Sequence, residues 1–331
     1  MARHRYVVTA VGLLVSAVFI YLAVRGLDLA AIEDAFSHSE LLPWLPIGIA
    51  SYLLSHVARG VRCRLLVRRH AAIGLTTATH VVVVGYAANN VLPARLGELV
   101  RSGMLAERAA MPLAQSIAVT FIERVLDGLT LLFLLVVATL TVDVAGWMRE
   151  LVYVALAVFG AAAIAMLVAA RWPRVLVALA AGLGRPLGPK WRDRFAGLAT
   201  SVTDAGACLR DPLDAALLGC SSLVVWCFEA GMYVALLPIF GIEVTWQLAV
   251  ATMCVTGFGL LLPSSPGSIG PYHYFASQAM IVFGVAAPTA LAYATLVHLA
   301  FYIPVTIWGA AAMAWYGVEL NAPASGAPPN A

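Results

Sequence analysis

Residues 263–272 read Pro-Ser-Ser-Pro-Gly-Ser-Ile-Gly-Pro-Tyr, and they break a stretch of 75 residues between Glu243 and Glu319 that holds no Asp, Glu, Lys or Arg. A charge-free stretch of that length belongs in a bilayer core, which is about 30 Å thick and takes about 20 apolar residues per helical crossing. The break divides it unevenly. Tyr272–Ala286 has 15 residues, too few to cross at about 1.5 Å per residue. The spacing therefore predicts a half-helix, the return arm of a broken hairpin over about 244–286. The last full crossing is predicted over Thr289–Tyr316.

A second break stands earlier in the chain. The apolar stretch Ala71–Leu92 ends in Asn89-Asn90-Val-Leu-Pro93, and the segment Ala94–Ala110 carries Arg95, Glu98, Arg101, Glu107 and Arg108. That density of charge forbids a lipid-facing helix, so another hairpin is predicted over about 71–110. Full helices are expected over Val7–Val24, Leu41–Ala58, Leu113–Thr141 and Leu151–Ala170. Asp211-Pro212-Leu-Asp214 reads as an N-cap, a Pro at the first helical position and an acidic first turn, opening a helix that reaches Phe240. The basic stretch 171–210, with Trp172 and Trp191, suits a cytoplasmic loop with interfacial helices. Ordinary loops between short helices would have the same parity as two hairpins, but the return arms are too polar or too short to span.

The two breaks match in position. Pro93 and Pro263 are 170 residues apart, and the helices flanking them are spaced alike. Each unit of three crossings is odd in number, so a second copy must be inverted. The expected fold is an all-α polytopic membrane protein with about six full spans plus two re-entrant hairpins in an inverted repeat. The first repeat covers 1–142, the second 143–318, and 319–331 is expected to be a disordered tail.

Composition agrees. Of 331 residues, 62% are hydrophobic and 11% charged, against about a quarter charged in soluble domains. Soluble enzymes, disordered regulators and disulfide scaffolds are excluded. A net charge of +3 gives no reason to expect nucleic acid as a partner. The five cysteines are odd in number and lack a C-x-x-C, so they read as small buried apolar residues. Arg3 and Arg5 before an apolar run mimic a signal peptide, but the uncharged run is long and no A-x-A-like site precedes Arg25, which favours a retained helix. Counting Arg59, Arg62, Arg64, Arg68 and Arg69 with the basic residues of 1–6, 95–108 and 171–210 puts 17 of 20 cations on one side. The positive-inside rule then predicts cytoplasmic N- and C-termini in the cytoplasmic (inner) membrane.

Several residues are candidates for chemistry. A helix starting near Pro93 aims free N–H groups into the membrane. Asn89, Asn90 and Arg95 add donors there, and Glu98 lies three residues from both Arg95 and Arg101, where it can hold either guanidinium. Such a set suits a phosphate, or else forms a self-neutralising cluster at the interface. Ser264, Ser265, Ser268 and Tyr272 supply hydroxyls at the second tip. Glu123, Arg124 and Asp127 sit mid-helix as a coupling or charge network: they neutralise Arg95 or Arg101, take up a proton, or clamp helices together. Glu229 reads as a lone buried carboxyl, a proton-coupling candidate or a hydrogen-bonded structural group. His273 and His298 read as packing residues. No metal site, cofactor motif or catalytic nucleophile is found, so the chain is not expected to be an enzyme.

Three stretches together resemble one family: Asn90-Val-Leu-Pro93-Ala-Arg95-Leu-Gly97-Glu98-Leu-Val-Arg101, then Glu123-Arg124-x-x-Asp127, then Pro263-x-x-Pro-Gly267-x-x-Gly270-x-Tyr272. They look like the signatures of the lysylphosphatidylglycerol synthase transmembrane (flippase-like) family, in order and spacing over nearly the whole chain. The resemblance implies translocation of a lipid with a phosphate-bearing headgroup, such as a phospholipid or a polyprenyl-phosphate-linked lipid. The aminoacyl-transferase domain of the synthases does not accompany these stretches, so aminoacyl-lipid synthesis is not implied. The alternatives are an intramembrane lipid-modifying enzyme or an accessory partner of a membrane glycosyltransferase. Expected partners are membrane lipids and a lipid- or glycan-synthesis enzyme, with a homo-oligomer left open.

Overall fold

The computed structural model describes residues 14–26, 29–37, 40–92, 96–140, 146–261 and 265–317. Arg3, Arg5, Pro93, Arg95, Pro263, Ser264 and the predicted tail lie outside these. Among the described residues there is no strand and there are thirteen α-helices. They are α1 (Leu14–Val24), α2 (Leu29–Ser37), α3 (Trp44–Val67), α4 (Leu75–Val91), α5 (Gly97–Arg108), α6 (Leu113–Thr139) and α7 (Gly146–Arg171). After these come α8 (Pro173–Gly184), α9 (Pro189–Ala205), α10 (Pro212–Leu236), α11 (Trp246–Gly259), α12 (Pro271–Val282) and α13 (Ala287–Tyr316). The protein is an all-α polytopic membrane protein. Gly146–Arg171, Pro212–Phe240 and Ala287–Tyr316 are long and apolar enough to cross a bilayer without further argument. Helices α3 and α6, with 24 and 27 residues, have the length but carry charges inward.

Helix starts follow local chemistry. The Asp211 side chain accepts from the Leu213 N–H at 2.9 Å, and Pro212 takes the first position, where no N–H is needed. Pro271 opens α12 in the same way. The largest departure from expectation is α3, which runs nine residues beyond Ala58 to Val67. Arg59 and Arg62 do not end it, because both point into the protein and are about 1% and 0% exposed. They and the equally buried Arg101 drop out of the positive-inside count.

Helices α3 and α10 pack along their length in antiparallel fashion. At one end Arg69 pairs with Asp211 and Asp214; at the other Gly48 stands against Met232 and Leu236. Within α3–α6 and α10–α13 the contacts come in matched sets: α3 with α4 and α10 with α11, α4 with α5 and α11 with α12, α5 with α6 and α12 with α13, α4 with α13 and α11 with α6. Exchanging α3–α6 for α10–α13 turns each of these pairings into another.

The arms of the two hairpins have 17 and 12 residues (α4, α5) and 14 and 12 (α11, α12); α5, α11 and α12 are short of a crossing, and α4 is at the lower limit of one. Both tips stop half-way along α13, on the same tyrosine. The Tyr302 hydroxyl donates to the Asn90 carbonyl at 3.2 Å, and the Tyr302 ring lies against Gly267. Gly267 has φ +71°, and a Cβ there would stand 2.6 Å from the ring. At the first tip, Gly97 lies against the backbone of Gly85 and Asn89. Gly97→Ala is expected to force these backbones apart at a cost of about 1–3 kcal/mol. A thermal-unfolding scan of detergent-solubilised protein should show a lowered Tm, and an unchanged Tm would contradict the packing.

Candidate functional site

Four helices each contribute one polar face at the same depth. Along α3 the inward positions are Tyr52, His56, Arg59 and Arg62, and along α10 they are Ser222, Trp226, Glu229 and Tyr233. Both sets recur at the three- to four-residue helical spacing. Helix α4 brings Tyr86, Asn89 and Asn90, and α6 brings Glu123, Arg124 and Asp127.

Asp127 is the hub. Arg62 donates to its Oδ1 at 2.7 Å, Arg59 reaches both oxygens at 3.3 Å, and the Trp226 indole N–H donates to Oδ1 at 3.1 Å. Arg124, one turn earlier on the same helix, pairs with Oδ2 at 3.3 Å. Arg59 also donates to Glu229 at 2.5 Å, and its guanidinium lies over Trp226 (4.8 Å) and Tyr86 (5.2 Å). Arg62 completes its set with the Ser222 hydroxyl at 3.1 Å. An isolated buried charge costs several kcal/mol, so these groups hold one another in place. Glu229, a lone carboxyl in the sequence, is thus partnered from across the bundle.

A cavity of about 290 Å³ opens beside this network. Its polar lining comes from both halves of the chain: Asn89, Asn90 and Glu98 at the first tip, Arg124 and Asp127 of α6, Arg59 of α3, Glu229 of α10, and Ser268 and Tyr272 at the second tip. Three of these charges are the most open to it: Arg124 is 28% exposed, Glu98 25% and Glu229 17%. Arg124 stands 3.8 Å from Glu98 and donates to the Tyr86 hydroxyl at 3.4 Å. Asn89 donates to Glu98 at 3.5 Å, and Asn90 to Thr306 at 2.7 Å. Across the cavity the hydroxyls of Tyr272 and Tyr233 meet at 2.9 Å, and Thr256 joins them at 3.2 Å from Tyr233.

Not every expected site residue lies here. Arg101 is buried against Glu123, both about 1% exposed, behind the cavity wall. Around that pair Ser102 and Thr120 meet at 3.0 Å and Ser116 donates to the Ser102 carbonyl, so α5 is clamped to α6. The clamp sets Glu98 opposite Arg124. Ser265 accepts a hydrogen bond from Ser16 of α1 at 2.7 Å and does not line the cavity. His273 and His298 stack in an aromatic cluster with Tyr272 and Phe301. Among the described residues no group of three His, Cys, Asp or Glu could share a metal ion.

Arg59, Arg62, Tyr86, Trp226 and Tyr233 were not singled out from the sequence. A signal was present: Arg59 and Arg62 lie three apart after His56 on one face, and Trp226 lies three before Glu229.

The model of the lysylphosphatidylglycerol synthase TM region matches residues 9–309. The chain belongs to this transmembrane family. A curated relative, Glycosyltransferase AglD of Haloferax volcanii, is 27% identical over 78% of this chain and 46% of its own length. The chain therefore spans about half of that relative. No solved structure matches the chain. Within the family member described here, polar residues from both halves converge on one cavity, lined by Arg59 and Arg124 together with Glu98, Asp127 and Glu229, while Arg62 and the Arg101–Glu123 pair stand behind its wall.

Asp127→Asn removes the shared counter-charge of three arginines and is expected to destabilise the fold by about 3–5 kcal/mol. Adding Arg62→Gln should recover part of that loss. Unfolding midpoints of Asp127→Asn, Arg62→Gln and the double variant in one detergent check this; losses that simply add in the double variant would show that Asp127 and Arg62 act independently.

Proposed function

We propose that the protein is a membrane lipid transporter, a flippase that moves a lipid with a phosphate-bearing headgroup between leaflets. The observation that carries the reading is the cavity at mid-bundle, where two short hairpin arms meet and Arg124 faces open space beside the buried Arg59. Arginine binds phosphate oxygens with a planar fork of donors. Broken helices that converge at the bilayer midplane are the recurring site of transporters. Antiparallel α3 and α10, with the matched pairings around them, support an inverted repeat of two hairpin-bearing units over 1–142 and 143–318. The two tips then reach the site from opposite faces, as an alternating mechanism requires.

The exposed cations support the expected orientation. Arg64, Arg68, Arg69, Arg171 and Arg174 are exposed near the C-terminal ends of α3 and α7. Glu40, whose N–H donates to the Ile239 carbonyl at 3.3 Å, belongs to the other end. We place the basic end in the cytoplasm of a cell bounded by this membrane. His80 and Arg108 both pack on Tyr316, so the end of α13 shares the face where α4 starts and α5 finishes. The C-terminus is cytoplasmic on this reading.

The relative named a glycosyltransferase favours a second reading, in which the chain serves a membrane glycosyltransferase as its partner. A lipid-modifying enzyme using Glu123 has less support, because Glu123 is sealed against Arg101. The test is reconstitution. Proteoliposomes should exchange a fluorescent phosphatidylglycerol or polyprenyl-phosphate lipid between leaflets. Arg124→Gln should slow that exchange about tenfold, as expected for a lost hydrogen bond to a charged group, while Glu107→Gln on the exposed surface of α5 should not. Exchange at the protein-free rate over a broad lipid panel overturns the reading. Activity found only in a co-purified complex with a glycosyltransferase favours the second.

A further inference from the structure

A second hollow of about 380 Å³ lies between α6, α7, α8 and α9. Every side chain lining it is apolar. Small residues make the space: Ala162, Ala165 and Ala169 of α7, Ala180 of α8 and Ala199 of α9. With no donor or acceptor in its wall, the hollow cannot hold a polar ligand or an ordered water. It fits a hydrocarbon.

Two further observations say which hydrocarbon. The first is continuity with the central cavity. On α7, Phe159 lines the cavity, and Ala162 and Met166, one and two turns further along the same face, line the hollow. On α6, Gly128 and Leu131 line the cavity, while Phe121 and Ile122 line the hollow. The Phe159 ring occupies the space where Gly128 lacks a side chain and packs on Phe258 at 5.8 Å, so it stands between the two spaces. The second observation is charge. Arg171, Arg174, Arg185, Lys190, Arg192 and Arg194 are exposed around α8 and α9, and Asp193 is the only acid in the segment 171–203. Exposed Trp172, Leu179, Leu183, Leu187 and Trp191 alternate with them. That mixture is the signature of helices lying in the headgroup layer and drawing anionic lipid to themselves.

We propose that this hollow holds one hydrocarbon chain of the transported anionic lipid. The α6–α7 seam is then the lateral route by which the headgroup passes to the central cavity, with Phe159 as the side chain that closes it. The inference rests on the transport reading above and adds to it a tail site and a gate.

The test uses full-length protein in phosphatidylcholine nanodiscs. Two probes are compared: phosphatidylglycerol with a diazirine in its acyl chain, and a polyprenyl phosphate with a diazirine in its chain. Label is expected on peptides within 162–206. Ala165→Trp and Ala180→Trp fill the hollow from two different walls, and each should cut the label at least tenfold. Leu156→Trp, on the exposed face of α7, should leave it unchanged. Size-exclusion profiles identify any variant that fails to fold. Glycerol phosphate binding by calorimetry should stay within twofold in Ala180→Trp, and Phe159→Ala should speed leaflet exchange severalfold. Whichever probe labels the segment tells an acyl chain from a polyprenyl chain. Label spread over the outward face of α7, or label unaltered by both Trp variants, overturns the tail site. If glycerol phosphate still binds in that case, the cavity reading survives. If label is confined to the hollow but no lipid moves, the transport reading fails and the tail site stands.

Discussion

Asp127 is the residue on which the interior depends. Its carboxylate accepts from Arg59, Arg62 and Trp226 and pairs with Arg124, so one negative charge ties α3, α6 and α10 together. In a medium of low dielectric constant, arginines without such a counter-charge would not stay inside the protein. With it, α3 can carry two guanidiniums through the middle of a membrane bundle. Glu229 then fixes the far side of Arg59, and the aromatic faces of Trp226 and Tyr86 complete its surroundings. The cavity exists because this neutralised wall keeps α3, α6 and α10 at a set distance while the two hairpin tips stop short of closing the gap.

The proposed function rests on which charges that wall leaves open. Arg101 and Glu123 are sealed and serve to hold α5 on α6. Arg124, Glu98 and Glu229 keep some exposure, and they stand at the junction of the two halves. On the proposed reading, a phosphate arriving there would meet a guanidinium already oriented by Tyr86 and Asp127, with little ordering left to do at the moment of binding. On the same proposal, the apolar hollow beyond Phe159 would be the complementary half of a lipid site. Headgroup and tail would then be held by adjoining stretches of the same two helices.

Much of the fold was legible in the residues. The breaks at Asn89–Pro93 and Pro263–Pro271, the Asp211 cap and the 170-residue offset led to the hairpins, to the start of α10 and to the matched pairings. Asn89, Asn90, Glu98, Arg124, Asp127, Glu229, Ser268 and Tyr272 were singled out from the sequence and share one cavity. What was not legible depends on partners distant in the chain. A rule that ends helices where charge begins stops α3 at Ala58, because nothing local shows that Arg59 and Arg62 are neutralised 65 to 170 residues away. The same blindness made Glu229 look solitary and Arg101 look available. Runs of uncharged residues describe the lipid-facing part of a membrane protein well; its buried polar core obeys a pairing rule that only three-dimensional proximity reveals.

The central claim is that the space between the hairpin tips receives a phosphate headgroup. A cryo-electron microscopy map of the protein in nanodiscs loaded with phosphatidylglycerol or a polyprenyl-phosphate lipid tests it most directly. The account predicts headgroup density within hydrogen-bond reach of Arg124, bounded by Glu98 on one side and Tyr272 on the other. A map with that cavity empty, and with lipid ordered only along the outer faces of the bundle, would contradict it.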